Sequence, residues 1–98
     1  MLRLTVTPMA ESDLIGIWIY SCGEWGVDQA DSYLDQLEAG MTQLIIHPSL
    51  GANYAHVFPG YRRLQVEHHS VFYRVLEPEI LVVRVLHEDM DAPQRLLD

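Results

Sequence analysis

Two apolar periodicities divide this 98-residue sequence, and their order along the chain constrains the fold more than any other feature. Between residues 8 and 48, apolar side chains recur at intervals of three and four, which is typical of helices with one buried face. From residue 62 to residue 86 they alternate or run together, which is typical of β-strands. Because helices and strands occupy separate parts of the chain, the pattern predicts an α+β fold rather than a parallel βαβ fold.

Two helices are predicted in the first half. Thr7 and Pro8 supply an N-cap hydroxyl and a proline at the first helical position, so the first helix is expected over roughly residues 8–22. The second helix is expected to follow the break between Gly23 and Gly26 and to end at Pro48. Such a short link predicts an antiparallel helical hairpin. The stripes expected to face the core are Ala10, Leu14, Ile17, Trp18, Ser21, Cys22 and Trp25 in the first helix, and Ala30, Tyr33, Leu34, Leu37, Met41, Leu44 and Ile45 in the second.

Four strands are expected, one before the hairpin and three after it. Turns at His68-His69 and at Glu77-Pro78-Glu79 separate the last three into an antiparallel meander. The last strand is almost continuously apolar, so it is expected to be a central strand covered on both faces. The predicted strands are Leu2–Val6, the segment from Arg62 that contains Leu64 and Val66, Val71–Leu76 and Ile80–Leu86.

The expected architecture is therefore a single domain over residues 1–98 in the order β-α-α-β-β-β. The hairpin is predicted to pack on an antiparallel sheet of three to four strands, because no linker or repeat divides the chain. Residues 48–60 contain Pro48, Gly51, Asn53, Pro59 and Gly60, residue types that favour turns, and predict a long irregular loop. Residues 92–98 are expected to form a last helical turn or a free tail.

The charge and cysteine content restrict the class of protein. The chain carries 14 acidic residues, six arginines and no lysine, for a net charge of −8, which opposes attraction to phosphate backbones. Direct binding to nucleic acid is therefore not expected. No apolar stretch is long enough to cross a membrane, and the single cysteine, Cys22, is typical of a reducing compartment, so a cytoplasmic location is expected.

Three histidines, His68, His69 and His87, are candidates for acid-base groups or metal ligands. The first two are adjacent in a predicted turn, where side chains usually diverge into solvent, and the sequence places no third ligand beside them. No metal site and no cofactor is therefore expected. His87 ends the predicted central strand and is the stronger functional candidate, although a structural role at the end of the sheet explains it equally well.

Arg62, Arg63, Arg74 and Arg84 all lie in the second half of the chain, within or beside the predicted strands. Arg84 interrupts the apolar strand, and a buried guanidinium requires a carboxylate or several carbonyl partners. Asp91 and Glu67 are the expected carboxylates. Alternatively, Arg84 faces outward and contacts a partner.

Several motifs, in this order and spacing, resemble the RelE/ParE toxin superfamily and more closely its ParE branch. The resemblance covers nearly the whole chain and is strongest in the last two strands. The matching segments are Thr7-Pro8-x-Ala10-Glu11-x-Asp13-Leu14, Gly60-Tyr61-Arg62-Arg63-Leu64, Val71-Phe72-Tyr73-Arg74-Val75, and Ile80-x-Val82-Val83-Arg84-Val85-Leu86-His87-x-x-Met90-Asp91.

Resemblance to the ParE branch implies the toxin of a type II toxin–antitoxin (plasmid stabilization) system, which inhibits DNA gyrase and is neutralised by a ParD-like antitoxin. Resemblance to the RelE branch implies instead a ribosome-dependent mRNA ribonuclease. The acidic stretch His87–Asp91 and the lack of lysine argue against the phosphate-stabilising site that such a nuclease needs, so no catalytic residues are expected. The same stretch departs from the ParE pattern, which commonly has a basic residue near Asp89. An inactive member retained for antitoxin binding is therefore a third alternative.

The resemblance and the arginine distribution together predict a surface that binds the antitoxin or gyrase. An antitoxin segment is expected to bind as an extended chain plus a helix, with its apolar side chains in a groove beside the sheet. The residues expected at this surface are Arg62, Arg63, Arg84, His87, Met90 and Asp91.

Overall fold

The computed structural model describes residues 1–97 and shows an α+β fold in which a helical hairpin packs on one face of a sheet. Both the fold class and the hairpin agree with the sequence prediction. The elements are β1 (Arg3–Val6), α1 (Pro8–Trp25), α2 (Val27–Ile46), β2 (Ala52–Asn53), β3 (Arg62–Val66), β4 (His69–Leu76), β5 (Glu79–His87) and α3 (Ala92–Leu97).

The sheet has five strands in the order β1-β5-β4-β3-β2. The prediction of three to four strands did not include β2. This two-residue strand lies inside the predicted loop and pairs antiparallel with β3. The predicted antiparallel meander of β3, β4 and β5 is confirmed. The N-terminal strand β1, however, pairs parallel with β5, with Arg3 opposite Glu79 and Val6 opposite Val82. The connection between these two strands is long, as a parallel pair requires, and comprises the hairpin followed by β2, β3 and β4.

The first helix is three residues longer than predicted and ends at Trp25. Gly23 lies inside it, since one glycine costs a packed helix only about 1 kcal/mol. Gly26 has a φ of 91°, which an L side chain rarely adopts, and its N–H donates to the Cys22 carbonyl at 2.9 Å. The link between the two helices is therefore this single residue.

The core lies between the hairpin and the sheet. Thr7 begins α1 as predicted, because its hydroxyl accepts a hydrogen bond from the N–H of Ala10 at 3.1 Å. The fully or nearly buried members of the core cluster are Ala10, Met41, Leu44, Val71, Tyr73, Ile80, Val82 and Val85. None of the helices in residues 1–97 is long and apolar enough to span a membrane.

A β-bulge in β5 explains why that strand is apolar almost throughout. Phe72 of β4 lies opposite Arg84, but its neighbour Tyr73 lies opposite Val82, so Val83 is an extra residue. Side chains normally alternate between the two faces of a strand, and the extra residue resets that alternation. Consequently Val82 and Val85, three positions apart, both enter the core under the hairpin.

The loop after α2 is held by one buried tyrosine. The hydroxyl of Tyr73 donates to the Pro48 carbonyl at 2.8 Å and accepts from the N–H of Gly51 at 2.9 Å. Arg62 adds a hydrogen bond from Nη1 to the Gly51 carbonyl at 2.7 Å. The start of the predicted irregular loop is therefore fixed to the sheet.

Candidate partner-binding groove

A groove of about 960 Å³ lies between the hairpin and the C-terminal half of β5. Helix α1 and helix α2 form one wall, and β5 with the segment after it forms the other. The lining residues are Ser12, Asp13, Gly16, Ile17, Tyr20, Ser21 and Trp25 from α1, Gln29, Tyr33 and Gln36 from α2, and Glu67, His68, His69, Arg84, Val85, Leu86, His87, Asp89, Met90 and Arg95 from the rest of the chain.

The middle of this groove is apolar. Val85 and Leu86 are each only 2% exposed, whereas Tyr20 and Trp25 of the facing helix are 63% and 65% exposed. The two aromatic rings meet edge to face with centroids 6.3 Å apart. Trp25 was expected on the buried stripe of α1, but it lies at the end of the helix, beyond the sheet that covers the earlier turns. Exposed aromatic rings beside a concave apolar surface are typical of protein-binding sites.

An ion pair closes one side of the groove. The guanidinium of Arg84 donates from Nε and Nη2 to the two carboxylate oxygens of Asp13 at 2.8 and 2.9 Å. The two side chains are only 12% and 16% exposed. Nη1 of Arg84 donates to the carbonyl of Arg95 at 3.0 Å, which ties α3 to the sheet. The carboxylate partner of Arg84 is thus Asp13, and the expected pairing with Asp91 or Glu67 is wrong.

The same carboxylate also covers an exposed edge of the sheet. Strand β1 pairs only with the first half of β5, and beyond Val82 two side chains take its place. The Thr7 hydroxyl donates to the Val83 carbonyl at 2.8 Å, and the N–H of Val85 donates to Asp13 at 3.0 Å. These contacts satisfy the Val83 carbonyl and the Val85 N–H, which would otherwise be free to pair with another strand.

Histidines and a tyrosine form the other end of the groove. The hydroxyl of Tyr33 accepts from the N–H of His68 at 3.2 Å and lies 2.6 Å from Nδ1 of His69. Burial raises the pKa of this hydroxyl, so it keeps its proton. Burial, followed by the neighbouring His87, lowers the pKa of His69 to about 4, so its ring is neutral near pH 7.

His69 was expected to point into solvent from a turn, and this expectation is wrong. The turn consists of Glu67 and His68, so His69 is the first residue of β4 and lies opposite His87 of β5. The two rings meet edge to face with centroids 5.2 Å apart. Nδ1 of His87 accepts the N–H of Asp89 at 3.1 Å, which fixes the turn after β5.

The structure brings together only some of the predicted partner-binding residues. Arg84, His87 and Met90 line the groove, and Met90 is 45% exposed. Asp91 lies next to this set, where its carboxylate accepts the N–H of Gln94 at 3.4 Å and begins α3.

The two neighbouring arginines lie elsewhere, because they belong to β3, which two strands separate from the groove wall. Arg62 is engaged with the Gly51 carbonyl, and Arg63 is exposed on the other face of the sheet. Neither lines the groove.

Among the groove residues that sequence reasoning missed, Asp13 and Tyr33 make the most specific contacts. Asp13 stands in the motif that follows Thr7-Pro8 and was available as a signal, since its place three residues after Ala10 puts it beside the apolar stripe of the helix. Tyr33 was assigned to the buried stripe of the second helix, and only the tertiary structure shows its hydroxyl at His69.

The groove offers binding surface rather than reactive groups. Its most buried charge, Arg84, is neutralised by Asp13, and the neutral histidine His69 is already hydrogen-bonded. Within residues 1–97, no three histidine, cysteine, aspartate or glutamate side chains are arranged to hold a metal ion.

Comparison with known proteins supports the same conclusion about family. A family model described as the ParE toxin of the type II toxin–antitoxin system parDE matches residues 4–92. Toxin ParE1 of Mycobacterium tuberculosis is 40% identical over 95 residues, which covers 96% of this chain and 97% of that protein. Toxin ParE of Escherichia coli is 40% identical over 100 residues, which covers 100% of this chain and 96% of that protein.

A solved structure agrees with these relatives. A chain of the chromosomal ParDE toxin–antitoxin system from P. aeruginosa superimposes with a TM-score of 0.80 at 26% identity, over 89% of this chain and 96% of that one. The family model extends from β1 to the start of α3, so it includes the hairpin, the sheet and every groove-lining residue except Arg95. The chain therefore belongs to the ParE family of toxins of type II toxin–antitoxin systems.

Proposed function

We propose that this toxin acts by binding other proteins, that it inhibits DNA gyrase, and that a cognate ParD-like antitoxin neutralises it by occupying the groove. The apolar groove itself is the observation that carries the proposal. It exposes Tyr20, Trp25 and Met90 around the buried pair Val85 and Leu86, and small monomers rarely leave such a surface uncovered.

A helix suits this groove better than an added strand. The edge of β5 beside the groove is already covered by Thr7 and Asp13, so a partner strand would first have to displace their hydrogen bonds. An amphipathic helix instead needs only a concave apolar surface for its side chains at helical spacing. The extended part of an antitoxin segment would then run outside the groove, where it would pair with an outer strand or with none.

Two observations favour binding over RNA cleavage. A ribonuclease of the RelE type needs cations that stabilise a developing phosphorane charge. In this groove Arg84 is paired with Asp13, and the turn after β5 carries Glu88 and Asp89. The proposed site of action is the cytoplasm, because an unpaired thiol such as Cys22 is typical of a reducing compartment.

Induction of the chain without an antitoxin distinguishes the candidate functions. DNA, RNA and protein synthesis are followed separately, and the purified protein is added to a gyrase supercoiling assay. The proposal requires early loss of DNA synthesis and inhibited supercoiling while translation continues. Codon-specific cuts in mRNA would establish the ribonuclease instead, and normal growth with unaffected supercoiling would identify an inactive member.

Groove variants test the antitoxin site. The candidate antitoxin is the product of a short reading frame beside the toxin gene, and its affinity for the toxin is measured by calorimetry. Trp25→Ala and Tyr20→Ala should each weaken binding by at least about tenfold, as for a central aromatic contact. Ile46→Ala is the matched control, because Ile46 is 76% exposed at the end of α2 and does not line the groove. Equal effects of all three substitutions would place the antitoxin elsewhere.

A further inference from the structure

Acidic residues are nearly absent from one long part of the chain. Residues 39–76 contain one of the 14 acids, Glu67, but three of the six arginines, Arg62, Arg63 and Arg74. This part comprises the end of α2 and the strands β2, β3 and β4. The chain, whose net charge is −8, therefore has one positive region. A turn that contains Glu67 joins β3 to β4, and the three arginines lie toward the other end of this strand pair.

Two of these arginines share the face of the sheet that the hairpin leaves uncovered. Arg63 lies opposite Phe72, and Arg74 is two residues further along β4, so their side chains project to the same side. Val71 and Tyr73, which alternate with them, face the core under the hairpin. We call Arg63, Arg74 and the adjacent Tyr61 the arginine face.

Among residues 1–97, neither of these two guanidinium groups forms an ion pair with a carboxylate. The ion pairs found within residues 1–97 involve Arg3 and Arg84 but neither Arg63 nor Arg74. Arg74 lies over the ring of Tyr61 at 5.6 Å from its centroid, and its buried Nε lacks a hydrogen-bond partner among those residues. The guanidinium of Arg74 therefore keeps hydrogen-bonding capacity that the described residues do not use.

We propose that the arginine face is a second docking surface, separate from the groove, for a protein segment that carries at least two carboxylates. Guanidinium groups bind carboxylates through two parallel hydrogen bonds, and stacking on Tyr61 holds Arg74 in a fixed orientation for such a bond. Arginine and tyrosine are also the residues that contribute most often to protein interfaces. The surrounding loop adds apolar surface, since Val57 is 39% exposed.

An acidic protein segment fits this face better than a nucleic acid. Sequence-independent binding to nucleic acid depends on many phosphate contacts, commonly six to ten in well-studied cases, and each requires a cation. The positive region provides three arginines, one of which, Arg62, is already bonded to a backbone carbonyl. The remaining chain would repel a long polyanion, whereas a short segment with two carboxylates meets only the local charge.

The groove lies at the β5 edge of the sheet, whereas Arg63 and Arg74 lie on β3 and β4 and do not line it. A partner confined to the groove therefore does not cover these two arginines. This inference does not depend on which protein the toxin inhibits, so it can be tested without gyrase or antitoxin.

The test is a titration of the isotope-labelled full chain, followed by backbone amide chemical shifts. The probes are a blocked hexapeptide of alternating aspartate and glutamate, the corresponding asparagine–glutamine peptide, and a short DNA duplex, all at the same ionic strength. The acidic peptide should give saturable shifts at residues 61–64 and 72–75, and the amide peptide should give none. Arg63→Glu should weaken the affinity by at least about tenfold.

Arg3→Glu is the matched control, since Arg3 is also exposed, changes the net charge equally, and lies on β1 at the other edge of the sheet. It should alter the affinity by less than about twofold. If Arg63→Glu unfolds the chain, Arg63→Gln removes the same charge without adding another. The proposal is overturned if the acidic peptide gives no saturable shifts, if the shifts lie in the groove, if both variants weaken binding equally, or if the duplex binds more tightly than the peptide.

Discussion

Replacement of Asp13 by alanine should be the most destabilising change to a single polar side chain at the groove. The carboxylate accepts two hydrogen bonds from Arg84 and a third from the N–H of Val85, within 3.0 Å in each case. Asp13→Ala removes all three acceptors at once. A guanidinium that is only 12% exposed would then lose two charge-assisted hydrogen bonds, and the edge of β5 would lose its cover.

The expected loss follows from these contacts. Removal of one partner from a buried ion pair costs about 3–5 kcal/mol, mainly because the other charge stays buried. The uncovered N–H of Val85 adds about 1–3 kcal/mol if water does not reach it. Since the groove lets water approach both groups, we expect a total near the lower limit, about 3–4 kcal/mol. For a domain of this length, that loss lowers the melting temperature by roughly 12–30 °C.

Urea unfolding of the wild type, Asp13→Ala and Arg3→Ala measures this loss. Arg3 and Glu79 form a pair at 3.8 Å with side chains that are 71% and 41% exposed, so its removal should cost less than about 1 kcal/mol. Asp13→Asn keeps one oxygen acceptor but no charge, and its loss should lie between the two. The reasoning is refuted if Asp13→Ala costs no more than Arg3→Ala.

Four further substitutions test the packing and the titration of the fold. Gly51→Ala should lower the free energy of unfolding by about 1–3 kcal/mol, because a Cβ would lie 2.7 Å from the ring of Tyr73. Gly16→Ala should raise it by up to about 1 kcal/mol, because a Cβ there would meet nothing within 4 Å. Urea unfolding of both variants measures the difference. Tyr73→Phe should cost about 1–3 kcal/mol by the same assay, since it leaves the buried N–H of Gly51 without an acceptor. His69 has a pKa lowered to about 4 in the folded chain, so its contribution to stability is complete above the ordinary value of 6.5 and is lost as the pH falls through about 4. His69→Gln should remove that part of the pH dependence, and identical pH profiles for variant and wild type would contradict the assignment.

The helices and the meander could be predicted because local signals determine them. The Thr7 cap, the two apolar periodicities and Pro48 each act within a few residues, and the structure confirms the elements that they indicate. The parallel pairing of β1 with β5 could not be predicted in this way. It joins segments at opposite ends of the chain, and short strands carry no sequence signal for their partner.

The groove was only partly predictable for a related reason. The sequence indicated that Arg84 needs a buried carboxylate, but it favoured nearby acids, whereas Asp13 is 71 residues away. The position of Arg84 depends on the bulge at Val83, which no spacing in the apolar strand reveals. The turn before β4 was predicted at His68-His69, one residue later than the turn at Glu67-His68 in the structure. In a strand, a shift of one residue changes the face to which each side chain projects.

The two proposed surfaces differ in how their charges are balanced, and ionic strength should therefore separate them. In the groove, Arg84 is neutralised within the chain by Asp13, so a partner gains mainly from contact with Tyr20, Trp25 and the apolar floor. Salt has little effect on such burial, and antitoxin affinity should be nearly constant between low and physiological ionic strength. On the arginine face, the charges of Arg63 and Arg74 are balanced only by the partner, and screening over about 8–10 Å weakens that attraction as salt increases. A partner whose affinity falls steeply with salt, and for which Arg63→Glu removes that dependence, binds the arginine face. A partner whose affinity is insensitive to salt but sensitive to Trp25→Ala binds the groove.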